Sequence, residues 1–268
     1  MRLQILVVTM NRKDLELVKK MNIKSDVLIA NQTDEYGYIR EDGDFISEMI
    51  STTTKGLSIN RNIAINCSSK DGEYVMFLDD DVQLSDNYLE IIENEFVNHP
   101  HAEAIKFSLS ATEGERHKQK NPLKFCRANR KLIGPVGVVG LVIRKSTLEK
   151  HNLFFNQQFG AGTENYSGED TLFLSEMLKK KLKFYFSPFA IGELNSEQSS
   201  WYEGFTEKFF YVKGKVLCAE FGWFRAKILS YYFAFRNSRR KGCELSYRKI
   251  LKLYRKGIKD YSKLWKRF

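Results

Sequence analysis

The chain has 268 residues, 43% hydrophobic and 28% charged, which supplies enough apolar side chain for a packed domain and argues against a disordered chain. Its net charge of +10 points to an anionic partner, and four scattered cysteines (Cys67, Cys126, Cys218, Cys243) with no CxxC pair signal neither a zinc knuckle nor a disulfide framework. No run approaches the roughly 20 apolar residues that a spanning helix needs.

Leu3 to Thr9 is a short apolar run that reads as a buried strand. A strand is expected here and not a signal peptide, since the run ends in Asn11-Arg12-Lys13 without a small-residue cleavage site. Arg12 to Met21 is expected to be helical and Asp26 to Ala30 to be a second strand. Ser58 is placed to cap a helix running to about Cys67. Tyr74 to Leu78 reads as a third strand, and Ser85 is placed to cap a helix with Tyr88, Leu89, Ile92 and Phe96 on one face. Ala111 to Leu132 is polar, basic and irregular, a candidate mobile loop. Val138 to Ile143 and Lys183 to Phe186 read as strands flanking a helix over Asp170 to Lys180, and beyond Ser200 long aromatic and basic helices take over. The alternation predicts a largely parallel sheet covered on both faces, with ligands beyond the carboxyl ends of the strands.

Three stretches at or near those ends carry chemistry. Asp79-Asp80-Asp81 follows an apolar strand, and three adjacent carboxylates are tolerable where a hard cation such as Mg²⁺ or Mn²⁺ neutralises them and also holds a phosphate. The alternative is a polar strand-to-loop turn. Lys55-Gly56-Leu57-Ser58-Ile59-Asn60-Arg61-Asn62 joins basic residues to a helix N-terminus, an anion-binding combination or an ordinary capped helix. Gly160-Ala161-Gly162 leads through Ser167-Gly168 to Glu169-Asp170 at a helix start, where a carboxylate either accepts a proton from an acceptor hydroxyl or caps the helix.

In this order and at these spacings the three stretches resemble glycosyltransferase family 2. The resemblance extends over about residues 1 to 215, from the strand ending near Thr9-Met10-Asn11-Arg12, through Arg61-Asn62, Asp79-Asp80-Asp81, Gly140 to Ser146 and Phe155-Asn156-Gln157-Gln158-Phe159, to Glu169-Asp170. It implies an α/β GT-A fold, the Rossmann-like fold of nucleotide-diphospho-sugar transferases, over residues 1–215, with a helical extension over 216–268. It also implies an inverting transfer from a UDP-sugar to a hydroxyl of a saccharide or lipid-linked acceptor, with Mn²⁺ or Mg²⁺ as cofactor, in the assembly of a surface polysaccharide. By resemblance Asp81 is the metal ligand, Asp79 serves the ribose or the metal shell, Asp170 is the general base and Glu169 its neighbour. Thr9, Asn11, Lys55, Arg61 and Asp80 then line the donor site. Asn31 and Gln32 stand where relatives hold the nucleobase with an aspartate, and an amide there suits a uracil edge. Glu193 stands where relatives carry a histidine ligand, so it either supplies a further oxygen to the metal or the position contributes none.

From Arg236 onward there are 13 Lys or Arg residues against Glu244 and Asp260. Tyr247, Ile250, Leu251, Tyr254, Ile258, Tyr261 and Trp265 follow helical spacing opposite a basic face, and Trp223 to Phe235 is rich in aromatics. This tail is expected to dock a cytoplasmic enzyme on the anionic inner face of the cell membrane. Two alternatives stay open: the stripe packs internally, or the seven-residue spacing of Tyr247, Tyr254, Tyr261 and Phe268 forms a homodimer seam. Two other function classes lack their signatures. A nucleotidyl or phosphoryl transferase would need a loop such as GxxxxGK[ST], and a nucleic-acid-binding protein a zinc, RRM or KH motif, so nucleic acid is not an expected partner.

Overall fold

The computed structural model describes residues 1–111, 122–194 and 204–265. They divide into two compact units, the first formed by residues 1–157 and 169–198 and the second by 158–168 and 199–268. The boundary expected at residue 215 instead falls inside a continuous helical segment of the second unit, and the glycine-rich stretch 158–168 belongs with the C-terminal helices.

Among the described residues the first unit is built on a ten-stranded mixed sheet. Strands β1 (Leu3–Met10), β2 (Asp26–Gln32), β4 (Ile46–Thr52) and β5 (Tyr74–Asp79) run parallel in the order β4-β2-β1-β5. Their carboxyl ends therefore share one edge, with Thr9 paired to Asn31, Gln32 to Thr52 and Val8 to Asp79. Strand β3 (Gly37–Asp42) returns antiparallel on β4 at one side. Strands β6 (Val82–Leu84), β7 (Ala104–Ala111), β8 (Cys126–Arg127), β9 (Leu141–Arg144) and β10 (Phe184–Leu194) complete the sheet beyond β5, with β9, β6 and β8 antiparallel to their neighbours.

Side chains of a strand alternate between faces, so each central strand feeds two cores. Leu3, Ile5 and Val7 of β1 join helices α1 (Glu16–Lys20) and α3 (Tyr88–Asn98) on one face. Leu6 and Val8 join α2 (Leu57–Cys67) and α6 (Glu169–Lys179) on the other. Short helices α4 (Arg130–Ile133) and α5 (Lys145–Lys150) flank β9 in sequence.

The strands expected at the sheet centre are all present, while several local readings give way. The helix expected from Arg12 starts only at Glu16, because the N–H and C=O of Arg12 are both bonded to the Asn31 side chain. Neither predicted serine caps its helix. Ser58 is buried within α2, whose cap position is Gly56, and the Ser85 hydroxyl donates to the Ile191 carbonyl. The β3–β4 hairpin escaped notice because β3 is almost wholly exposed and charged, and carries no apolar alternation. Of the irregular stretch Ala111 to Leu132, residues 112–121 lie outside the described residues, and the remainder contains β8 and the start of α4.

The second unit contains α7 (Glu207–Ser238), broken at Gly222 where φ is 75°, and α8 (Tyr247–Trp265). The two helices approach so closely that a Cβ at Gly214 would run into the Tyr254 backbone, and one at Gly257 into that of Tyr211. Ile250, Tyr254, Ile258 and Tyr261 are buried within this unit, so this part of the tail's apolar stripe is core, while Phe268, the last residue of the expected dimer seam, lies outside the described residues. Among the described residues no helix is long and apolar enough to cross a membrane.

Beneath the strand ends of the first unit lies an aromatic layer. Phe155 stacks on Phe173 at 4.2 Å, and both present edges to Phe77. Asn62 clamps the Phe155 backbone from both sides, accepting from its N–H at 2.8 Å and donating to its C=O at 2.9 Å. Substituting Phe155→Ala leaves a cavity in this layer and should cost about 3–5 kcal/mol. The expected result is a lower urea midpoint with an unchanged slope, whereas an unchanged midpoint would remove the layer from the stabilising core.

Candidate active site

The site is assembled at the common carboxyl edge of β1, β2, β4 and β5, and its organiser is α2. Three consecutive polar side chains of that helix, Asn60, Arg61 and Asn62, are buried. Successive helical residues point about 100° apart, so each serves a different element. Asn60 donates to the Ala30 carbonyl at 2.7 Å and, more weakly, to that of Thr9, tying β2 to β1. Asn62 holds Phe155. Arg61, with a side chain only 3% exposed, donates to Asp79 Oδ1 at 2.9 Å and to Asp170 Oδ1 at 2.6 Å. Its Cζ lies 5.2 Å from the Phe155 ring centre.

This fork joins residues 109 positions apart, bringing the end of β5 to the start of α6. Burial works against the charge of Arg61, but Asp170, Asp79 and Glu169 more than offset it and hold the guanidinium pKa above its ordinary value. One guanidinium does not balance three carboxylates. Burial and then Asp170 push Glu169 up to about 7, and its buried Oε2 has no hydrogen-bond partner. Lys106, buried in β7, donates to the Phe107 carbonyl at 2.6 Å; burial drives it down to about 7, with Asp170 pulling the other way. The cluster therefore retains excess negative charge at neutral pH, a setting that accepts a cation.

Other expected residues are distributed unevenly. Thr9 donates from its hydroxyl to Asp80, and Arg12 reaches the same carboxylate at 3.5 Å. The Asn11 N–H donates to the Gln32 carbonyl at 2.8 Å. Asn31 is buried, and its amide is committed to the Arg12 backbone and the Ser51 hydroxyl. It supports the turn after β1, which leaves Gln32 as the less buried amide of the pair. Lys55 is exposed one residue before the cap of α2. Asp81 is the second residue of the two-residue turn between β5 and β6. Glu193 is exposed on β10, in register with Gln83. Among the described residues no three Asp, Glu, His or Cys side chains converge as metal ligands, so Asp79, Asp81 and Glu193 do not close a cage from protein alone.

Sequence reasoning overlooked Asn60, Arg12, Lys106 and Gly137. Asn60 stood beside Arg61 in the quoted stretch, whereas Lys106 sits in a strand with no local signal. A Cβ at Gly137 would lie 2.7 Å from Asp170 Oδ2, so the absence of a side chain lets that carboxylate oxygen pack against the Gly137 backbone.

Comparison with known proteins agrees with this architecture. Residues 31–163 match the family model described as Glycosyl transferase family 2, in agreement with the family that the sequence motifs resemble. The fold is the GT-A fold of nucleotide-sugar transferases, with a helical C-terminal part. The chain is similar in structure to residues 1–349 of Staphylococcus aureus TarS, crystallised in complex with UDP-GlcNAc, with a TM-score of 0.63 and 14% identity over 98% of this chain and 92% of that one. Against another TarS crystal structure the TM-score is 0.60 at 15% identity, covering 90% of this chain. The chain there spans 44% of the TarS chain. At this identity the likeness concerns fold alone. No curated protein matches the sequence.

Removing the organising cation should be costly. Arg61→Met leaves Asp79 and Asp170 facing each other without a partner. The loss should fall near the lower end of the about 3–5 kcal/mol typical of a broken buried pair, because both carboxylates keep some water. Denaturant unfolding at neutral pH measures it, and a loss below about 1 kcal/mol would deny the fork its structural role.

Glu169 sets a pH dependence. Its folded pKa, about 7, lies above the ordinary 4.5, so the stability its protonated form confers is complete below pH 4.5 and is lost as pH rises through 7. Glu169→Gln, which carries no charge, should gain stability relative to the parent across that window. Parallel denaturation curves of both proteins in chelator test this, and a constant difference between them would refute it.

Proposed function

We propose that the chain transfers a sugar from a nucleoside diphosphate donor to an acceptor hydroxyl, with Asp170 as the base. The observation that carries the reading is the Arg61 fork, which sets Asp170 beside the strand-end carboxylate Asp79. The family-model match over residues 31–163 supports glycosyl transfer as the reaction class. UDP as the nucleotide and a hexosyl or N-acetylhexosaminyl group as the sugar rest on the likeness to TarS bound to UDP-GlcNAc, and inversion rests on the family resemblance.

In this reading the acceptor O–H lies against Asp170 Oδ2, while Oδ1 stays anchored on Arg61. As the acceptor oxygen attacks the anomeric carbon, its proton passes to Asp170 and the nucleoside diphosphate leaves from the opposite side of the sugar. Arg61 keeps the carboxylate oriented for that proton. Gln32, at the end of β2, supplies an amide for the base edge, and the Thr9–Asp80–Arg12 group closes the same edge of the sheet. Asp79 and Asp81 would hold a Mg²⁺ or Mn²⁺ ion. The excess negative charge of the cluster fits a cation, and the lack of a three-ligand cage fits an ion that completes its shell with donor phosphates. Such an ion supplies charge neutralisation for the leaving diphosphate. The acceptor is read as a saccharide or lipid-linked saccharide.

Two measurements on one variant test the proposal. Asp170→Asn should bind UDP in the presence of Mn²⁺ like the parent, yet lose transfer by about 10²- to 10⁴-fold. Turnover near the parental rate would move the role of base to Glu169. Calorimetric titration of UDP into the parent with and without Mn²⁺ should give tighter binding with the ion, and equal affinities would remove the metal from the reading.

A further inference from the structure

With the stripe of α8 buried, the apolar surface of the second unit lies on the part of α7 beyond its break. Trp223, Phe224, Ile228, Tyr231, Tyr232 and Phe235 are each 47–69% exposed, and they make up six of the fourteen exposed large hydrophobic residues among the described residues. Phe224, Ile228, Tyr231 and Phe235 recur at intervals of four, three and four, one continuous helical stripe. Ala226, Ser230, Ala234 and Asn237 occupy the buried side, where the Asn237 amide donates to the Tyr254 hydroxyl at 3.0 Å. The stripe therefore looks away from the unit's own core.

Its charge is one-sided. From Phe221 to Cys243 the chain carries Arg225, Lys227, Arg236, Arg239, Arg240 and Lys241 and no acidic residue. All six are exposed. Several lie over the exposed rings: Lys227 Nζ is 3.9 Å from the Trp223 centroid, Arg239 Cζ 4.1 Å from Phe235 and Arg255 Cζ, from α8, 4.7 Å from Tyr231. Aromatic bodies carrying cationic heads suit the depth at which hydrocarbon meets headgroup. Gly222, at a φ of 75° that side-chain-bearing residues rarely adopt and with open space around its Cα, ends the first helical stretch and lets this one take its own direction.

We propose that residues 223–241 form a docking face that lies flat on an anionic lipid surface, with the stripe inserted at the interface and the cations on the headgroups. A second copy of the chain fits this face poorly, because self-pairing would set six cations against six others with no carboxylate on the stretch to meet them. The proposal does not depend on the transferase reading and stands or falls separately from it.

The test is flotation of the full chain with vesicles of phosphatidylcholine alone or mixed with phosphatidylglycerol. The parent should float only with the mixed vesicles and be released by salt. Two variants separate the contributions. Phe224→Ser/Ile228→Ser/Phe235→Ser removes the stripe, Arg225→Gln/Lys227→Gln removes two cations, and each should lower vesicle affinity by about tenfold or more while keeping the parental circular dichroism. Should the triple variant misfold, the single changes Phe224→Ser and Ile228→Ser are read in its place. Failure of the parent to bind mixed vesicles at low salt overturns the proposal, as does unchanged binding by the folded stripe variant. A parental dimer in light scattering that the stripe variant converts to monomer also overturns it, since the face would then be covered by a second copy.

Discussion

A single buried guanidinium sets the geometry on which the first unit's chemistry depends. Arg61 takes one carboxylate from the end of β5 at Asp79 and one from the start of α6 at Glu169-Asp170, two elements far apart in the chain that this guanidinium joins. Its planar fork holds two acceptors in fixed directions, which a lysine's single ammonium would not reproduce. The arrangement is affordable because burial is shared: the guanidinium gives up its water, while Asp79 and Asp170 remain partly wet at 35% and 23% exposure.

Around this fork, packing and chemistry use the same residues. Phe155 supports the guanidinium from beneath, is stacked on Phe173 of the helix that carries Asp170, and is held by the neighbour of Arg61 in α2. Such coupling makes the site rigid. It also leaves a net negative charge close to a buried glutamate and a buried lysine whose proton affinities have moved toward neutrality in opposite directions. Both shifts have the same origin, the cost of charge away from water; a cation arriving at the carboxylates would draw Glu169 back toward its ordinary range and would not relieve Lys106.

The second unit follows a different logic. Glycines at 214 and 257 let α7 and α8 touch backbone to backbone, and the aromatic stripe of α8 fills the seam. The amphipathic pattern of the tail was legible, but its destination was not, because a stripe of tyrosines and isoleucines against lysines has the same spacing whether it meets lipid, a second chain or its own neighbour. Burial within the unit decided for the neighbour and transferred the question of an external surface to α7.

The sequence by itself determined the central strands, the acidic end of β5, the helix start at Glu169-Asp170 and the family resemblance, because each is written in contiguous residues whose period or charge is local. It was silent on β3, whose exposed face carries no apolar rhythm, and misleading on Ser58 and Ser85, whose hydroxyls found other surroundings than a helix end. Tertiary structure alone decided that Arg61 serves two carboxylates, that Asn31 is spent on the turn after β1, that Lys106 lies near Asp170, and that the Asp170 carboxylate packs against Gly137. Each of these depends on a distance between residues remote in the chain. Such distances arise from how strands order themselves in a sheet and helices settle on its faces, a collective result of burial that no local spacing records.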